Sequence, residues 1–283
     1  MDEKDNNRLF CWEQITAANP LFRVSRVFAP GGIAEKLVPL YALFSAVEQI
    51  CSTVSDADVA GSKLAWWRQE CVQRDLANSQ HPVLKEMQRT GAADSLDRGD
   101  VIALLEGANT RLSARAPSDR DALREICIDV YRPQLQMELR LGGLAVGTEQ
   151  VNTDLMARNG LLQLLRESLR RKEQDGFWWL PLNLLARHGL NRVDIANRPD
   201  SAPVRNLFAE ILEDDPPFHS AADFGDTPGT DLMILRHVFA LSGIYARKIG
   251  RLKNLSPARF NNELNRAGPS DLLAAWQGAR KTG

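Results

Sequence analysis

Cysteine is scarce in this chain: Cys11, Cys51, Cys71 and Cys127 are the only four among 283 residues. They stand far apart and form no C-x-x-C, which argues against a zinc knuckle or a disulfide framework and points to reduced thiols of a cytoplasmic protein. Long apolar runs are missing too, and none approaches the ~20 residues that a membrane helix needs. The opening string MDEKDNNRLFCWEQ has neither the apolar centre of a secretory signal nor an Arg-rich amphipathic presequence. A mitochondrial matrix location would therefore require a processed eukaryotic form. With a formal charge of −1, the chain has no general attraction for nucleic acid or anionic surfaces. Local basic patches and peripheral membrane contact stay compatible with that balance. Strand-like alternation, internal repeats, G-x-S-x-G, the P-loop and G-x-G-x-x-G are all absent.

What is present is helical periodicity. In AEKLVPLYALFSAVEQICSTV, Leu37, Leu40, Tyr41, Phe44, Val47 and Cys51 recur at spacings of three and four, the stripe of a buried helix. Pro39 is read as early in that helix, where it is best tolerated. A second stripe runs through Val59, Leu64, Trp67 and Cys71, and HPVLKEMQRTG starts on a proline and stops at a glycine. Further helices are expected over about 99–116, 119–144, 152–172, 203–213 and 229–253. The 119–144 helix is expected to be capped by Ser118 with Asp121 at the third position and bent at Pro133. EDDPPFHSAADFGDTPGTD (213–231) reads as a loop whose Asp214, Asp215, Asp223 and Asp226 are solvated. The expected architecture is all-α and single-domain: a polar N-terminal segment over 1–20, a helical domain over 21–255 and a tail over 256–283 that frays at its end.

Three strings carry a resemblance: FRVSRVFAP…LVPLYALFSAVEQI, SKLAWWRQE…HPVLKEM and, most specifically, GFWWLPLNLLARHGL. They resemble the squalene and phytoene synthase family over about residues 20–195. The resemblance implies an isoprenoid-synthase-like helical bundle around a central apolar cavity. It also implies enzymes that join two prenyl diphosphates with Mg²⁺ held by two aspartate-rich motifs on facing helices. Such motifs suit the chemistry, because a leaving diphosphate is stabilised by hard, oxygen-bound cations.

This chain departs from the pattern at both motifs. Cys51 and Ser52 stand where the first motif has paired aspartates, and Ser55 where it has its last one. Neither a thiol nor a neutral hydroxyl is a good Mg²⁺ ligand. Asp56 and Asp58 are close by but are read as caps of the next helix. In the second motif, QLLRESLRRK, Gln163, Arg166 and Glu167 match the opening positions, but Arg171 replaces the second carboxylate. Arg111 falls where family members often carry an aspartate.

Two readings of the basic residues stay open. Arg26, Arg111, Arg166, Arg170 and Arg171 are candidate contacts for a diphosphate, which guanidinium binds in a forked geometry. RESLRRK is also an ordinary solvated helix end, where cations suit the dipole. Tyr41, Phe44, Trp67 and Gln163 are candidate cavity-lining residues. Trp66, Trp178 and Trp179 read as core as readily as lining, His81 and His188 read as caps or packing residues, and His219 and His237 have no partner visible in the sequence that would make them ligands. No residue is assigned as catalytic and none as a metal ligand.

The function expected is a family member that has lost Mg²⁺-dependent condensation and acts by binding. In this it resembles mitochondrial complex I assembly factors, which share the fold and lack the aspartates. The alternative is an atypical prenyl transferase that holds diphosphate through arginines. The partner is then a prenyl diphosphate, another isoprenoid lipid or a protein, with no nucleic acid. No cofactor is expected, and Mg²⁺ only if the parent reaction is retained.

Overall fold

A computed structural model describes residues 3–73, 78–113, 115–144, 153–171, 177–213 and 235–280. Among them there is no β-strand, and helices account for nearly all regular structure. The long ones are α1 (Glu3–Ala18), α3 (Gly31–Thr53), α4 (Ala57–Arg68), α6 (Arg98–Ser113), α7 (Arg120–Leu141), α8 (Thr153–Arg170), α11 (Ala202–Glu213), α12 (Leu235–Leu252) and α14 (Pro269–Ala279). Shorter helices fall between them: α2 (Phe22–Ser25), α5 (Pro82–Thr90), α9 (Leu182–Arg187), α10 (Arg192–Asn197) and α13 (Phe260–Leu264). The loop expected over 213–231, with its four aspartates and His219, lies outside the described residues apart from Glu213.

The central helix α3 buries the whole expected stripe from Leu37 to Cys51. It starts at Gly31, with Pro30 as its N-cap, so Pro39 sits inside the helix and not in its first turn. The polar-looking GGIAEK stretch joins the helix because Ala34 and Leu37 are buried against the core, and that packing outweighs the hydrogen bond Pro39 cannot give. Asp56 caps α4, accepting from the backbone N–H groups of Asp58 and Val59 at 2.9 and 3.0 Å, as its type and place suggest. For α5, the His81 Nδ1 accepts from the Val83 N–H at 3.3 Å, and Gly91 ends the helix at φ +73°, a conformation glycine adopts at no steric cost.

The cap of α7 differs by one residue from expectation. Asp119, not Ser118, accepts from the Ala122 N–H at 3.0 Å, while Ser118 donates to Asp119 Oδ2 at 2.8 Å. A carboxylate is the stronger acceptor for a helix N–H, and the hydroxyl supports it. From there α7 runs unbroken through Pro133 to Leu141. It packs along α8 at a point where Gly160 meets the Cys127 carbonyl so closely that a Cβ would overlap it.

Both ends of the chain are built into the bundle. Cys11, Ile15 and Ala18 on α1 are fully buried against α3 and α5; their four- and three-residue spacing is hidden in the sequence by the polar residues between them. At the other end, α14 packs along α12. The α12 residue Lys248, 1% exposed, reaches Glu263 Oε1 and Asp271 Oδ2, each at 3.1 Å, and donates to the Arg266 carbonyl at 2.7 Å. Residues 256–280 are thus held by buried charge as well as by apolar contact, and not as a loose tail. No helix among the described residues is long and apolar enough to cross a membrane.

Candidate functional site

The interior between α3, α7, α8 and α12 is occupied by interlocked side chains. Tyr41 on α3 lies 4.1 Å from the Phe22 ring and 5.4 Å from Phe44. Its hydroxyl donates to Glu138 Oε1 on α7 at 2.8 Å, so the His237 Nε2–H on α12, 3.1 Å away, is left to donate to the Tyr41 oxygen. Gln134 Nε2 donates to Gln163 Oε1 at 3.0 Å. Tyr41, Phe44 and Gln163 are therefore buried in the bundle interior, bound to one another's neighbours. Burial pushes the Glu138 carboxyl up to about 8, against the hydrogen bond from Tyr41, and holds His237 down at about 4. At neutral pH the pair is uncharged.

Above this network, at the C-terminal end of α3, lie the positions of the two degenerate motifs. Arg111, 4% exposed, brings a guanidinium nitrogen within 3.4 Å of Cys51 Sγ and 3.5 Å of Glu167 Oε1. Burial works against its charge, yet the Glu167 carboxylate beside it raises its pKa above the ordinary arginine value. Arg166 donates through Nη1 to Asn19 Oδ1 and to the Tyr245 hydroxyl oxygen, both at 2.9 Å. Its Nε is 3.9 Å from Glu48 Oε1, which Arg170 Nη1 engages at 2.8 Å. Arg170 also donates to the Ala18 carbonyl, and Arg171 Nε donates to the Cys51 carbonyl at 2.8 Å. Four guanidiniums thus surround two carboxylates, and Arg111 Nε and Arg166 Nε have no hydrogen-bond partner.

The residues present do not fit a divalent cation. Such an ion needs several anionic oxygens on one side. Cys51 Sγ has its pKa raised by burial, against the Arg111 charge, and so stays a neutral thiol; Ser52 Oγ turns to the Gln49 carbonyl at 3.5 Å. Ser55 is exposed beyond the end of α3. Glu48 and Glu167 do supply carboxylates, but both already face arginines, and burial raises the Glu167 pKa while Arg111 holds it back. Among the described residues no three His, Cys, Asp or Glu side chains are grouped to hold a metal.

Of the five candidate arginines, the structure brings four together. Arg26 stands apart, donating to the Ala34 carbonyl at 2.8 Å with its guanidinium 5.3 Å from the Trp12 ring. Trp67 faces His81 at 4.7 Å between ring centroids, in a cleft at the edge of the bundle. His188 ends α9 and lies 2.6 Å from Glu210. Trp178 and Trp179 are buried in the core. Sequence reasoning missed Glu48 and Glu138. The available signal for Glu48 was a carboxylate on the buried face of an otherwise apolar helix, three residues before Cys51; α7 carries charge all along its length, so Glu138 gave no such signal.

The long helices, packed without a β-strand among the described residues, define an isoprenoid-synthase-like all-α protein. The structure is similar to that of a dehydrosqualene synthase in complex with ligand, at 14% identity and a TM-score of 0.68, covering 98% of this chain and 96% of that one. It is also similar to the squalene synthase HpnC from Alicyclobacillus acidocaldarius, at 17% identity and a TM-score of 0.55, covering 99% and 93%. No curated protein sequence matches the chain. The family model for squalene/phytoene synthase matches residues 17–215, and the chain belongs to that family.

Proposed function

We propose that this family member does not carry out Mg²⁺-dependent condensation of prenyl diphosphates and acts by binding, as an assembly factor-like or isoprenoid-binding scaffold. One observation carries the reading: the positions of both metal motifs form a closed cluster in which Arg111 bridges Cys51 and Glu167 while Arg166 and Arg170 engage Glu48. A cation placed there would displace buried ion pairs and meet net positive charge. Breaking a buried pair on one side is costly, because it leaves an uncompensated charge behind.

The second reading, an atypical prenyl transferase that holds diphosphate through arginines, draws support from the same cluster. Two positive charges exceed the carboxylates, Arg111 Nε has no hydrogen-bond partner among the described residues, and the Arg170 side chain is 17% exposed. Calorimetric titration with farnesyl diphosphate, in Mg²⁺ and then in chelator, separates the readings. The scaffold reading expects neither Mg²⁺-dependent binding nor released diphosphate. Binding that survives chelator and weakens in Arg171→Ala favours the arginine-held diphosphate. Binding that requires Mg²⁺, with diphosphate release, overturns the proposal.

A further inference from the structure

On the opposite side of α3 from the arginine cluster, a cleft of about 240 Å³ opens between α1, α3, α4 and the start of α5. We infer that it is a binding site for a small aromatic carboxylate. The walls are rings set at steep angles: Trp66 and Trp67 are 5.1 Å apart at 75°, Trp67 and His81 4.7 Å apart at 68°, and Phe10 and His81 5.8 Å apart at 85°. Such edge-to-face walls suit a flat apolar body, whose own ring completes the arrangement. The floor is the outer face of α3, where Gln49 offers an amide, two residues from the inward-facing Cys51 and so on the other side of the helix.

Charge selects the head group. A ring of aromatic side chains alone would favour a cation, but Lys63 is the one charged side chain lining the cleft among the described residues, and it makes no ion pair there. Burial lowers the His81 pKa, against the pull of Glu70, so that ring adds apolar surface and no second charge. A single ammonium, without an arginine fork, matches a singly charged carboxylate better than a phosphate. The volume is below the ~300–1,000 Å³ of pockets for drug-sized ligands, which suits a small ring system better than a long prenyl chain.

The cleft also has the local structure of a built site. Directly after α4 the chain takes a π-helical turn over Gln69–Gln73, a rare conformation that gathers at functional positions. Within that turn Glu70, 3% exposed, accepts from Ser79 Oγ at 2.7 Å. This bond ties the end of the tryptophan-bearing helix to the segment carrying His81 and fixes the angle between the walls. Trp66 is 40% exposed, and its ring packs on Trp67 and on His81, 5.3 Å away between centroids, so one face is left to the cleft.

The inference holds whichever reading of the arginine cluster is right. Titration of the full chain with 2-naphthoate, 2-naphthylmethanol and 2-naphthylmethylammonium, followed by ligand-observed NMR and calorimetry, tests it. Saturable binding is expected to be tightest for the carboxylate, and about threefold to fivefold weaker both for the alcohol and for the carboxylate in Lys63→Gln, the scale of one exposed charge contact. Binding is expected to be retained in Lys63→Arg and lost in Trp66→Ala. Both cleft positions are exposed, so circular dichroism of the variants should match the parent. Absence of saturable binding, equal binding of the ammonium or the alcohol, or full binding by Lys63→Gln and Trp66→Ala each overturns the assignment.

Discussion

Arg171, one residue beyond α8, donates its Nε–H to the carbonyl of Cys51 at 2.8 Å, so the end of one helix caps the last turn of another. The carbonyls there lack intrahelical donors, and a guanidinium supplies both the hydrogen bond and the charge that the helix dipole favours. Replacing Arg171 with alanine is expected to cost about 1.5–3 kcal/mol, the range for a hydrogen bond to a charged group. Arg171→Lys should recover only part of it, since lysine cannot present two parallel donors. Urea unfolding of the three proteins measures the difference.

Arg111 and Glu167 are coupled more strongly. Arg111→Ala leaves Glu167 buried and facing less positive charge, and a loss of about 3–5 kcal/mol is expected. Adding Glu167→Gln to that variant removes the bare carboxylate, so the double variant should be more stable than Arg111→Ala alone. A double-mutant cycle by chemical denaturation gives the coupling directly; additive effects would mean that the two side chains do not share a buried site.

The Tyr41–Glu138–His237 chain makes stability depend on pH in two opposed ways. Glu138 titrates near 8 when folded against 4.5 when free, so the folded state binds the extra proton and stability falls as pH rises from 4.5 to 8. His237 titrates near 4 when folded against 6.5 when free, so the unfolded state binds the extra proton and stability is lost as pH falls from 6.5 to 4. Each contributes a slope of at most ~1.4 kcal/mol per pH unit. The two offset one another between 4.5 and 6.5, and the Glu138 effect stands alone between 6.5 and 8. Denaturation midpoints should therefore decline from pH 6.5 to 8 in the parent, and Glu138→Gln should abolish that decline.

Gly160 sits where α8 touches the α7 backbone at Cys127. An added methyl cannot be absorbed by side-chain rotation, because the opposing atoms are backbone. Gly160→Ala should destabilise by at least ~2 kcal/mol, despite alanine's better helix propensity, while alanine at Gly61, where nothing lies within 4 Å, should be neutral or stabilising. Thermal melts of the two variants check the contrast.

Much of this architecture was legible in the sequence because each long helix carries its own periodic signal. The stripe of α3, the Asp56 cap, and the His-Pro start and Gly91 stop of α5 all depend on residues within a turn or two of one another. The resemblance also set Cys51, Ser52 and Arg171 at expected metal-motif positions, where reading the letters is enough to find no aspartate. What it could not reveal was the fate of the arginines. Whether Arg170 reaches solvent or Glu48 depends on a pairing 122 residues apart, and RESLRRK reads alike in both cases. Lys248 and Asp271 were illegible for the same reason: each looks like surface charge until helices distant in the chain are packed together.

The cluster at the end of α3 has an evolutionary consequence. A carboxylate introduced at position 51 would meet Arg111 before any ion, while removal of Arg111 strands Glu167, and removal of Glu48 strands Arg170. Single-residue paths that begin by removing Arg111 or Glu48 therefore pass through a protein carrying an unmatched buried charge. The arrangement works as a bias on the order of change: a carboxylate gained at position 51, which Arg111 would match, can precede the loss of an arginine, whereas the reverse order needs stability gained elsewhere to tolerate the intermediate.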